Sequence, residues 1–266
     1  MRMVFLTPRH LTAQSLLILA ALATIPPSNA RADDAAPEIG TAVLIKRDVI
    51  ALLGDDKHDL KEGGRVRQSE YLETGEDAQA ELELDDQTKL ALGPNAGLKL
   101  DAFVIGKSDG VTSIGVNFVK GTFRFITGSE NKEAYRIETP SATIGVRGTV
   151  FDVYVDGQGD TLVLLHEGEV DICTKTNDCR RHNSVGRIIH ATVGGVLSAP
   201  IKFTAGLIPG VAVGTAFPFV GKALRIDPLR RLRLNKIAEG PALKAGRAVT
   251  SGARSVGRAI RRSLKF

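Results

Sequence analysis

The residues of this chain whose types could do chemistry are five histidines, two cysteines and the Asp-Asp pairs at 55–56 and 85–86. His10 lies in an N-terminal apolar region; His58, His166, His182 and His190 are spread through the rest. No metalloprotease helix motif or P-loop surrounds any of them. The pairs Asp55-Asp56 and Asp85-Asp86 bring carboxylates together, as metal or glycosidase chemistry would require. Both stand in turn contexts, where solvated Asp residues are expected. His166, amid apolar strand residues, reads as a hydrogen-bonded strand histidine rather than a base. No enzyme, cofactor or metal is expected. Cys173 and Cys179, in "CTKTNDC", could join His182 and His190 at a metal, but that spacing matches no familiar zinc pattern. In an exported chain, an even cysteine count and an Asn177-Asp178 turn favour a disulfide closing a hairpin. Arg147 stands between Gly145 and Gly148 in "TPSATIGVRGTVFDV" (139–153). Its planar fork could tie carbonyls or a carboxylate such as Asp152, and the structural tie is preferred to an anion or glycan contact.

These residues need a framework, and the pattern supplies one. Aromatics are scarce (10 Phe, 3 Tyr, no Trp) and glycines number 28, usage that suits many short strands with tight turns. Ala80, Leu82 and Leu84 alternate with Glu81 and Glu83. Leu90 and Leu92 follow an Asp-Asp-Gln turn, and Leu98 and Leu100 follow Gly93-Pro94-Asn95. Period-two alternation of this kind marks strands with one buried face. The reading continues through "GVNFVKGTFRFITG", "AYRIETPSATIGVRGTVFDVYVDG" and "GDTLVLLHEGEVDIC", with no long amphipathic helix between residues 39 and 173. The expected fold is all-β, a short-stranded sandwich or solenoid-like domain.

The net charge of +5 hides a split. Residues 31–179 carry 28 acidic against 16 basic side chains, and residues 180–266 carry 17 basic against 2 acidic. An acidic body and a basic tail with its own partner are implied. At the N-terminus, Arg2, Arg9 and His10 precede the apolar run 16–25, and Ser28-Asn29-Ala30 supplies small residues for cleavage. Residues 1–30 are therefore expected to be a signal peptide, 31–38 a flexible mature N-terminus and 39–180 the β domain. Residues 181–221 form a Gly/Ala-rich apolar segment. Its uncharged stretch 203–221 is long enough to span a bilayer, yet prolines and glycines weaken a helix there. A span, an interfacial hairpin and a packed soluble segment all remain open.

Residues 222–266 are expected to be a basic, partly helical tail. At about 100° per residue, Val249, Ala253, Val256, Ile260 and Leu264 share one side. Arg247, Arg254, Arg258, Arg261, Arg262 and Lys265 take the other, a pattern suited to an anionic membrane or acidic polymer. Docking on the chain's own acidic domain is the alternative; nucleic acid is not expected in an exported protein.

"GTFRFITG", "IETPSATIGVRGTVFDVYV" and "TLVLLHEGEVDI", with the upstream "YLETGEDAQAELELDDQTKLALGPNAGLKLD", resemble the FecR domain of bacterial envelope proteins. The resemblance covers residues 39 to about 173 and implies an all-β periplasmic module. Thr139, Pro140, Ile144, Gly145, Arg147, Gly148 and Thr149 carry the motif, as structural or binding residues. In iron-uptake regulators the domain follows a cytoplasmic segment that controls a sigma factor; here only the signal peptide precedes it, so that mechanism is not carried over. The expected function is a non-enzymatic periplasmic interaction or signalling module that binds an envelope protein or glycan. The alternative is a structural envelope protein tethered by its apolar segment and basic tail.

Overall fold

The computed structural model describes residues 36–106, 110–128, 135–239 and 242, without the side chains of 102–106, 110–114 and 147. The chain is all-β, as the alternation and turn chemistry predict. Among the described residues, fourteen strands form one hydrogen-bonded sheet. The first seven are short: β1 (Glu38–Lys46), β2 (Val49–Leu53), β3 (Asp56–Asp59), β4 (Arg65–Arg67), β5 (Tyr71–Thr74), β6 (Gln79–Leu84) and β7 (Lys89–Leu92). Then follow β8 (Gly97–Gly106), β9 (Gly110–Ile126), β10 (Tyr135–Glu138), β11 (Ala142–Val155), β12 (Thr161–Thr174), β13 (Cys179–His182) and β14 (Ile188–Ala191). The main path runs β13-β12-β11-β10-β9-β7-β6-β1-β4. β14 lies beside β12, and a second row, β3-β2-β5-β8, joins through β8 to β9. The sheet thus continues past residue 180, through β13 and β14, into the segment expected to be Gly/Ala-rich and apolar.

One contiguous core draws on residues from β1 to β14, including Ile39, Leu82, Phe118, Phe123, Phe125, Phe151, Leu165 and Ile189. Phe118 and Phe123 stack with ring centroids 4.1 Å apart, and Phe125 packs obliquely on Phe151 at 5.4 Å. The strands of both rows of the sheet share this one interior.

The opposite face of β7, β9 and β12 is also covered, which the alternation did not announce. Residues 203–239 pack there, and among the described residues they include two four-residue helices, α1 (Val213–Ala216) and α2 (Leu234–Ile237). Leu162, Leu164 and Ile188 meet Phe203, Ile208, Phe217 and Ile237 in a second cluster. Ala91 meets Phe219, Leu224 and Ile226 in a third. Residues 203–221 are thus described as a packed segment. No helix among the described residues is long and apolar enough to cross a membrane. Residues 222–239, assigned from sequence to the basic tail, likewise fold onto the sheet: Ile226 N donates to Glu81 Oε2 at 3.0 Å, and Arg225 pairs with Glu62. Docking on the chain's own domain is what residues 222–239 display.

Glu81 corrects the reading of β6. Expected on a solvated face, it is 1% exposed, because the C-terminal segment lies over it. Asp86 needs the same correction. It is no solvated turn residue: buried, it accepts from Thr88 N (3.0 Å), Thr88 Oγ1 (2.5 Å) and Tyr135 Oη (2.8 Å). Asp85 stays at the surface in a two-pronged pair with Arg65.

Cys173 and Cys179 form the expected disulfide, opposite one another in the β12–β13 ladder, with Asn177 at a positive φ of 63° in the turn. Replacing both by serine is expected to lower stability by about 2 kcal/mol, since so short a loop removes limited chain entropy. Urea midpoints of the two proteins check it.

Candidate interaction site

The family-motif segment is built as a bend. The first half of β11 pairs with β10 (Ile144 with Ile137), and the second half pairs with β9 (Val150 with Ile126). Between them the β11–β12 register shifts, from Arg147 to Val150. Gly148 supplies a φ of +63° at that bulge. Gly145 does not share the role: it lies in the regular ladder opposite Arg136 and Asp171. Thr149 and Thr127 clasp across the bend, Thr149 N donating to Thr127 Oγ1 at 2.8 Å and that hydroxyl to Thr149 O at 3.0 Å. Thr139 opens the segment. Its hydroxyl donates to Ala142 O and accepts from Thr161, which in turn accepts from Ser141. Pro140 lies on the exposed turn, and Ile144 is fully buried in the core. The backbone of Arg147 pairs with Glu169, while its side chain lies outside the described residues.

Asp152, the carboxylate offered as a partner for Arg147, belongs to another arginine. Arg124 donates to it twice, Nε to Oδ1 at 2.6 Å and Nη2 to Oδ2 at 2.9 Å. His166 Nε2 lies 2.9 Å from Asp152 Oδ2, with the Arg124 guanidinium beside it. All three side chains are buried. Burial alone would raise the Asp152 carboxyl, but His166 and Arg124 outweigh it and hold the group far below the usual carboxylate range. Arg124 Nη1 also reaches Asp227 Oδ2 at 3.3 Å, Arg231 Nε donates to that same oxygen at 2.9 Å, and Arg231 Nη1 pairs with Glu167. A charged chain thus crosses from β9 through β11 and β12 to the C-terminal segment. It pins residues 227–231 to the sheet.

The other described histidines are also structural partners. His182 Nε2 meets Arg187 O at 3.1 Å, and burial keeps the ring below its ordinary pKa. His190 pairs with Asp160 at 3.0 Å beside the Asp156–Asp160 hairpin loop. His58 sits on β3, its ring nitrogens 3.8 Å from Asp56 and from Glu70. One motif was passed over in the sequence: Gly106-Lys107-Ser108-Asp109-Gly110 has the spacing of a nucleophile elbow. Such an elbow requires strand, turn and helix, whereas Gly106 and Gly110 face each other where antiparallel β8 and β9 meet.

An open groove of about 710 Å³ adjoins the pinned segment. It is lined by Ser184–Arg187 of the β13–β14 turn, by Pro200, and by Arg231, Leu232, Arg233 and Lys236. Gly186 holds the turn with a φ of +74° and donates its N–H to Leu165 O at 2.8 Å. Arg231 is neutralised by Asp227 and Glu167. Arg187, Arg233 and Lys236 have no acidic partner among the described residues, whereas Arg65, Arg124, Arg136, Arg181 and Arg225 each have one. The sequence showed the basic excess after residue 180 but could not show which cations would be left unmatched in one place. The residues proposed from sequence for an anionic surface, Arg247, Arg254, Arg258, Arg261, Arg262 and Lys265, lie outside the described residues, as do 1–30 of the expected signal peptide.

The family model described as FecR protein matches residues 70–171. The match runs from the start of β5 into the β12 ladder and contains the bend and the Arg124–Asp152–His166 cluster, so the resemblance read from the motifs is borne out over these residues. The groove lies outside it. No curated protein matches the chain. Similar solved structures include two crystal structures of a candidate anti-sigma factor from Parabacteroides distasonis ATCC 8503, at 2.50 and 1.65 Å resolution. Each has 15% identity and a TM-score of 0.40, covering 48% of this chain and 57% of that chain.

Proposed function

We propose that the chain is a non-enzymatic FecR-type module, exported to the periplasm, that serves envelope signalling by binding a partner protein. The observation that carries the reading is the FecR match over residues 70–171. The side chains support a binding role. Three of the groups best suited to proton transfer, Asp152, His166 and His182, are buried and committed to holding strands and the C-terminal segment together. Three cations without an acidic partner among the described residues line an open groove, where a partner can reach them.

Capture from intact envelope tests this. The chain, with an affinity tag after Phe266, is expressed in the producing cell and cross-linked before lysis. A defined protein recovered in near-stoichiometric amount, and absent from a tag-only control, is the expected result. Recovery of glycan or lipid alone, or turnover of a substrate by the purified chain, would overturn the proposal.

A further inference from the structure

We propose that the groove between the β13–β14 turn and residues 231–236 seats an acidic segment of the partner protein, one in which carboxylates alternate with apolar side chains. This rests on the reading of the chain as a protein-binding module and names where and what it binds. Arg187, Arg233 and Lys236 present positive charge with no acidic partner among the described residues, so a carboxylate entering the groove need break no ion pair seen there. Arginine forks favour carboxylates and phosphates alike. The lining decides between them. Val185, Pro200 and Leu232 lie among the cations, and Val185 is 54% exposed. A free phosphate would engage the guanidinium groups and leave those apolar surfaces wet. A membrane surface is attracted by clusters of about four to eight cations, more than this groove leaves unpaired. An extended acidic and apolar peptide uses both kinds of surface. The volume of about 710 Å³ holds several of its side chains. Because Arg231 is fixed by Asp227 and Glu167, the wall carrying Leu232 and Arg233 is tied to the sheet before any partner arrives.

The test uses the purified full chain and a fluorescein-labelled octapeptide of alternating Glu and Leu, with a Ser-Leu octapeptide, polyphosphate and phosphatidylglycerol vesicles as comparison probes. Fluorescence anisotropy should report binding of the Glu-Leu peptide that weakens with salt. The triple variant R187E/R233E/K236E should weaken it by about tenfold or more. These side chains make no internal ion pairs among the described residues, so the variant should keep the wild-type circular dichroism and melting temperature; R187A/R233A/K236A serves if it does not. Equal binding by wild type and variant, or tighter binding of polyphosphate or vesicles than of peptide, overturns the assignment. Capture in cells separates this proposal from the broader one. A partner still held by the triple variant leaves the module reading intact and removes the groove, while no partner with either protein removes the module reading itself.

Discussion

Replacing Asp152 by alanine is expected to cost about 3–5 kcal/mol of stability, enough to unfold a large share of the population of a marginally stable domain. The loss is large because Arg124, 1% exposed, would keep its charge and lose both hydrogen bonds to Asp152. Of its carboxylate partners only Asp227 would remain, at 3.3 Å from one guanidinium nitrogen. Asp152→Asn keeps the shape but removes the charge and should lie between alanine and wild type. The same carboxylate carries a pH signature. Its folded pKa is depressed, so the unfolded chain binds a proton that the folded chain refuses. The stability it contributes is present above the ordinary carboxylate value of about 4 and is lost as pH falls below it. Melting temperature against pH should therefore fall steeply in acid for wild type and less steeply for Asp152→Asn. A mild loss from the alanine variant, under about 1 kcal/mol, would mean that the cluster does not hold the fold.

Gly168→Ala is expected to cost about 3 kcal/mol or more, through backbone strain and collision together. Gly168 sits opposite the β11 bulge with a φ of +80°, and a Cβ there would stand 2.4 Å from Gly148 O and 2.6 Å from Thr149 Cγ2. Neither neighbour can retreat easily, since Thr149 is clasped to Thr127. Gly145→Ala is the control. Its φ is not positive, and the nearest atom to a new Cβ is Asp171 O at 3.8 Å, ordinary contact. It should change stability by less than about 1 kcal/mol, although Gly145 belongs to the same motif. Equal effects at the two sites, measured by chemical denaturation, would refute this account of the bend.

Much of the β architecture was legible because alternation and turn residues act locally. The leucines of β6 and β7 enter the core as their spacing predicts, and the cysteines pair across the turn between them. What stayed hidden was the second cover. Glu81 reads as solvent-facing when only its neighbours in β6 are considered, yet its burial depends on Ile226, 145 residues away. The signal nearest to hand was "TLVLLH", where Thr161–His166 abandon alternation and every residue is buried. A strand buried on both faces needs two partners in the chain. Residues 203–221 were the apolar stretch available to be one of them. Arg147 shows the same limit at a single site: Asp152 lies close in sequence, but Arg124 stands directly opposite it across β9 and β11. Register decides that pairing, and register depends on the whole sheet.

On the proposed reading, a partner protein meets this chain at the groove beside the pinned C-terminal segment. Photo-cross-linking in intact cells tests it most directly. A photoreactive amino acid is placed at Val185 or Leu232 in the groove lining, or at Lys57 on strand β3, which does not line it, and each variant is irradiated in the producing cell. The account predicts one discrete protein adduct from Val185 and Leu232, lost when R187E/R233E/K236E is added, and none from Lys57. Adducts from Lys57 without any from the groove, or none from all three positions, would contradict it.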